Sequence, residues 1–152
     1  MAADLDMSTP EDRARVPLEA QQGMIVSMRL HHLAFRTDDL EALATFYNKL
    51  FGWPEVRDNR PHSIWLGISE AADEAGEAVA MIEQRAPAEP PIAADSLELV
   101  AFAAAPAELQ SLRERAALMG CLDGHTDHTQ YLRDPEGRRL AVSTYSLAAK
   151  VG

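Results

Sequence analysis

The sequence predicts an α+β fold of two βαβββ modules in tandem, and three observations predict it. Two alternating apolar stretches, LAFRT from Leu33 and VAFAA from Val100, stand 67 residues apart. Each is followed by a segment with apolar residues at spacings of three and four that closes on a glycine, and Gly52 and Gly120 stand 68 apart. HSIWL from His62 then matches HTQYL from His128 at 66. Landmarks that recur at nearly one offset, in an order that restarts, mark an internal repeat.

Patterning begins at Arg29, where Leu30, His32, Ala34 and Arg36 alternate with His31, Leu33, Phe35 and Thr37, the period of a strand. Asp38 precedes Glu41 by three residues, an acidic variant of the capping box that predicts a helix start. Leu40, Leu43, Phe46, Tyr47, Leu50 and Phe51 then form one apolar stripe, and Gly52 offers a left-handed stop. EVRDN, HSIWLGI and AVAMIEQ read as three short strands, which completes a first module over residues 29–84. A long connection, SEAADEAGE, joins the last two of them.

Residues 85–96 carry Pro87, Pro90 and Pro91 without periodicity, so they read as a linker. The second module spans 97–146. LELVAFAA supplies its first strand, Pro106 suits the first turn of a helix, and Leu109, Leu112, Ala116 and Met119 give the stripe. The segment from Cys121 to Gly124 is the candidate for the next strand. HTQYLR, the tight turn DPEG and RRLAVSTY form a closing hairpin. Residues 1–28 read as a flexible N-terminal extension, in which Met24 and Met28 are candidate natural starts, and 147–152 as a C-terminal tail.

Composition narrows the partners. Hydrophobic residues make up 47% and charged residues 25% of the 152, and no apolar run is long enough to cross a bilayer. The net charge of −10 opposes a phosphate backbone, which excludes nucleic acid as the expected partner. Cys121 is the only cysteine, so neither an internal disulfide nor a cysteine metal cluster is expected, and a reducing cytoplasm fits. No nucleophile triad, phosphate-binding glycine loop or dinucleotide fingerprint occurs.

HHLAFRTDDLEALATFYNKLFGW resembles the opening of a vicinal-oxygen-chelate (VOC) module, and YLRDPEGRRLAV resembles its closing hairpin. That superfamily contains glyoxalases, bleomycin-resistance proteins and extradiol dioxygenases. The resemblance covers about Arg29 to Tyr145. It implies mixed curled sheets around a central cavity, paired within one chain or between swapped chains, often in a homodimer. It also implies a divalent metal, held by the first and last strands of each module. His32 falls on a ligand position of that pattern. Its counterpart in the second module is Leu99, the last-strand position is Ala141, and the matching position of the first module is expected at Ala80. One imidazole does not hold a catalytic metal, so the usual site is expected to be degenerate, with no cofactor as the leading expectation and a divalent ion as the alternative.

Other residues are candidates for a displaced metal site or a binding role. A slip of one residue would turn Glu83 toward the cavity. His62 and His128 occupy equivalent positions, with Asp127 and His125 beside the second. His31, on the opposite strand face from His32, is expected to pack near a helix or loop. His32 is either a general base, with an unperturbed pKa near ~6.5, or a plain polar pocket residue. Arg36 either receives a ligand carboxylate or phosphate or pairs with the chain's own acids. Trp53 and Trp65 offer apolar surface, Tyr145 a phenol at the cavity edge, and Ala34, Ala101 and Ala103 leave room for an organic ligand.

Three functions follow. The first is metal-free binding of a small organic molecule, as in the resistance branch. The second is a glyoxalase-like lyase or isomerase, or a ring-cleaving dioxygenase, with a noncanonical site at His32. The third is a non-catalytic interaction module.

Overall fold

The computed structural model describes residues 28–68 and 78–147; the N-terminal extension up to residue 27, the SEAADEAGE connection and the end of the C-terminal tail lie outside the described residues. The chain runs β1 (His32–Thr37), α1 (Leu40–Phe51), β2 (Glu55–Asn59), β3 (Ser63–Gly67), β4 (Val79–Gln84), β5 (Leu99–Ala103), α2 (Pro106–Met119), β6 (Leu122–His125), β7 (Thr129–Arg133) and β8 (Arg139–Ser143). Two four-stranded sheets result, ordered β1-β4-β3-β2 and β5-β8-β7-β6. In each, the first strand lies parallel to the last and the remaining pairs are antiparallel, so the two modules share one topology.

Both helices start and stop where local chemistry requires. The cap of α1 is Asp39, whose carboxylate accepts from the Ala42 amide at 3.1 Å. The expected cap, Asp38, is displaced by one residue because its carboxylate turns instead to Arg85 at 3.0 Å. At α2 an alanine holds the cap position, and the Glu108 side chain accepts from the Ala105 amide at 3.2 Å. Gly52 and Gly120 close the helices at φ of 75° and 69°, a region that costs residues with a Cβ.

The backs of both sheets and both helices share one core. Leu43, Tyr47, Leu50, Ile64, Ile82, Leu112, Leu132 and Leu140 are all within it. Trp53 belongs to this core and not to the open sheet faces: it is buried, stacks on Tyr47 at 5.2 Å and meets Phe102 of the second module edge-on at 5.2 Å. Phe51 makes a similar contact with Phe102 at 5.6 Å. Aromatic pairs at these separations add to the free energy of area burial.

The DPEG turn fastens the modules together. Asp134 accepts from the Glu136 and Arg138 amides at 2.9 and 3.0 Å, which shapes the turn. Its other oxygen receives the Tyr47 hydroxyl of the first module at 2.6 Å and an Arg138 nitrogen at 2.6 Å. Glu136 reaches across to the Thr37 hydroxyl at 2.6 Å, the Asp38 amide at 3.3 Å and Arg85 at 3.0 Å.

Burial pushes the Glu136 carboxyl up, but the bonds from Thr37, Asp38 and Arg85 outweigh it and hold the group below its usual range. A depressed folded-state pKa contributes stability that is present above the unfolded value and lost as pH falls through the folded one. The melting temperature is therefore expected to fall on acidification below the usual glutamate range. Glu136→Gln should flatten that limb; a limb of unchanged steepness would show that Glu136 does not drive it.

Candidate functional site

Strand alternation assigns the two faces of each sheet. Phe35 and Thr37 of β1 enter the core, so His32, Ala34 and Arg36 point to the open face. The parallel register pairs His32 with Val79, Ala34 with Met81 and Arg36 with Glu83. Ala80 pairs with Leu33 and is fully buried with Ile82, so it faces the helix and not the cavity. The expected position is therefore corrected by one residue: Met81 opposes Ala34 as Ala141 opposes Ala101. Glu83 lies on the open face. Trp65 joins it through its pairing with Met81 and donates to Ser63 at 3.2 Å, and Arg57 stands 4.8 Å over its ring.

The second module presents Leu99, Ala101 and Ala103 of β5, Ala141 and Ser143 of β8, and Thr129 and Tyr131 of β7 on its open face. These residues, with Tyr145, Ser146 and Leu147, bound a cavity of about 540 Å³, open on one side. No described residue of the first module lines it. Since the backs of the sheets meet in the shared core, the two open faces turn away from it.

The arginines near these faces are already engaged. Arg36 grips both oxygens of Glu89 at 2.6 to 3.1 Å and reaches Glu83 at 3.3 Å. The bond to Glu89 raises the guanidinium pKa further, and the bond from Arg36 holds Glu89 below the usual carboxylate range. Arg133 binds Asp123 at 2.9 Å, while Arg139 lies 4.2 Å over the Tyr131 ring with its Nε 3.8 Å from Asp123.

The histidines do not converge. His31 is exposed, not packed under a helix, and its Nδ1 is 2.9 Å from Nδ1 of His32. His62 and His128 are exposed in the turns before β3 and β7, one in each module, and His125 ends β6. His128 lies 6.4 Å from the Tyr145 ring, which is 62% exposed at the cavity edge.

The donor set does not fit the metal that the resemblance implies. At the four relevant positions stand His32, Met81, Leu99 and Ala141, and a usable site needs about three ligands. Among the described residues no group of three or more His, Cys, Asp or Glu side chains is placed to hold a metal ion. This donor set is the same whether the modules pair within a chain or between chains.

Sequence reading missed Tyr131, Thr129 and Ser143 as cavity residues, although they share the alternation of Ala141. It also missed Glu89, which sits in the linker with no periodic signal to connect it to Arg36.

Comparison with known proteins agrees with this architecture. The family model for the Glyoxalase/Bleomycin resistance protein/Dioxygenase superfamily matches residues 29–142. No curated protein sequence matches. Among solved structures, the fosfomycin resistance protein FosX from Mesorhizobium loti is 20% identical with a TM-score of 0.63, over 81% of this chain and 96% of that one. A mutant of FosX from Listeria monocytogenes, complexed with Mn(II) and 1S,2S-dihydroxypropylphosphonic acid, is 15% identical at a TM-score of 0.64, over 81% and 94%. The oxidase ChaP-H2 is 18% identical at 0.62, over 83% and 100%. At these identities the likeness carries the fold. No helix among the described residues is long and apolar enough to cross a membrane.

Proposed function

This chain belongs to the Glyoxalase/Bleomycin resistance protein/Dioxygenase superfamily, and from that premise we propose that it binds a small organic molecule without a metal, in a resistance-like role in the cytoplasm. The observation that carries this is that Leu99, Ala141 and Met81 stand where the family resemblance expects metal ligands, while Leu99 and Ala141 line a cavity of about 540 Å³. Trp65 and Tyr145 supply aromatic walls and His32 a polar group. The Arg36–Glu83–Glu89 cluster and His128 form parts of the rim. Soluble protein stripped of metal should gain melting temperature from some members of a broad small-molecule library. No stabilisation by any of them would sink the reading.

The pocket is completed by a second copy. Each chain carries two open half-faces directed away from its own core, with Leu99 at 40% and Tyr145 at 62% exposure. A two-fold axis that lays the first module of one copy against the second module of the other closes two equivalent cavities at once. Sedimentation equilibrium at micromolar concentration should return a dimer; a monomer would remove this pairing.

A catalytic reading rests on the His31–His32 contact. With one Nδ1 donating and the other accepting, the donor ring keeps its Nε2 lone pair for use as a base. On this reading His32→Ala abolishes a lyase, isomerase or oxygenase activity while leaving ligand binding in place.

A further inference from the structure

We propose that the half-pocket of the second module selects a neutral aromatic ring carrying a hydroxyl or carbonyl oxygen, and discriminates against carboxylates and phosphonates. The inference rests on the reading of this face as a ligand pocket and adds the class of ligand.

Charge decides the class. Among the described residues no Asp, Glu, His, Lys or Arg lines the cavity of about 540 Å³. Among the described residues the nearest cations face other groups: Arg133 binds Asp123, Arg36 across the pairing binds Glu89 and Glu83, and Arg139 stacks on the Tyr131 ring with its buried Nε 3.8 Å from Asp123 and without a hydrogen bond. Arg57 is exposed on an edge strand, where water and salt screen its attraction. An anion buried against this half-pocket would lose its hydration and meet no cation in the lining, a penalty that neutral ligands escape. The volume falls within the range of sites for drug-sized molecules, and Leu99, Ala141 and the Tyr131 ring offer flat apolar contact.

One hydroxyl sets the polar requirement. Ser143 Oγ accepts from Thr129 Oγ1 at 2.8 Å and from the Tyr145 amide at 3.1 Å. With both lone pairs engaged, what the group offers a ligand is its proton. A ligand oxygen beside the ring is therefore required as acceptor, and a bare hydrocarbon leaves that donor without a partner.

Isothermal titration of the full chain with 2-naphthol, 2-naphthoate and propylphosphonate, near neutral pH, tests this. 2-Naphthol should bind about tenfold or more tighter than 2-naphthoate, and propylphosphonate should not bind at about 1 mM. Ser143→Ala should weaken 2-naphthol about tenfold with an unchanged circular dichroism spectrum. Equal or tighter binding of either anion overturns the ligand class and leaves the pocket standing. Binding of none of the three, as when the second copy itself fills the cavity, overturns the class and the pocket together.

Discussion

On the proposed metal-free reading, replacing Leu99 with histidine and Ala141 with glutamate should give the protein stoichiometric Mn(II) binding. The two positions lie on neighbouring parallel strands, with Ala141 opposite Ala101 and Leu99 two residues before it, all on the open face. Together with His32 they would supply two imidazoles and a carboxylate, the number of protein ligands that an open divalent site uses. Without metal the double variant should be less stable than the parent, because residue 141 is only 1% exposed and a carboxylate there is poorly hydrated. With metal at about one hundred times its dissociation constant, mass action should return about 2.7 kcal/mol. Calorimetric melting with and without Mn(II), alongside elemental analysis, reads both effects. Stoichiometric Mn(II) in the parent protein would end the degenerate-site reading. A dimeric double variant that stays metal-free would end the proposed apposition of His32 with the second module.

That experiment depends on registers that the sequence disclosed only in part. Repeated landmarks located both helices and most strands, because periods of 3.6 and 2 survive in residues such as Leu43, Tyr47, Ile64 and Leu132, which the core demands. The face of β4 was not legible. Its alternation is sound, but the connection before it has no pattern that fixes where pairing with β1 begins, so Ala80 was expected where Met81 stands. One residue of slip exchanges core for cavity. The fate of Arg36 was illegible for another reason. Its partner Glu89 is 53 residues away in a proline-rich linker, and only the folded chain brings the two together. The DPEG turn was legible as a turn through its proline and glycine, yet its role as the clasp between modules follows from Tyr47, which the helical stripe marked only as apolar.

Asp134→Ala should be the most damaging single substitution at that clasp, with a loss of about 3–5 kcal/mol of unfolding free energy. The Asp134 side chain is fully buried and is the common acceptor for the Tyr47 hydroxyl and the Arg138 guanidinium. Burial raises the Tyr47 pKa first and the Asp134 charge raises it further, so the phenol stays a donor throughout the accessible pH range. Removing the carboxylate strands that donor and leaves Arg138, whose side chain is 13% exposed, without its counter-ion. The damage spreads across the seam, because Arg138 also donates to the Arg36 carbonyl at 3.0 Å and lies 4.6 Å over the Phe35 ring. Against a typical total of about 5–15 kcal/mol the loss is large, and for a chain of this size it corresponds to a drop in melting temperature on the order of 10 °C. Asp134→Asn should fall between the two, since an amide oxygen can still receive the Glu136 and Arg138 amides but carries no charge for the guanidinium. Urea titration of the three proteins gives the comparison. A deficit under about 1 kcal/mol for the alanine variant would place Asp134 among ordinary surface ion pairs and would remove the turn's role as the tie between modules.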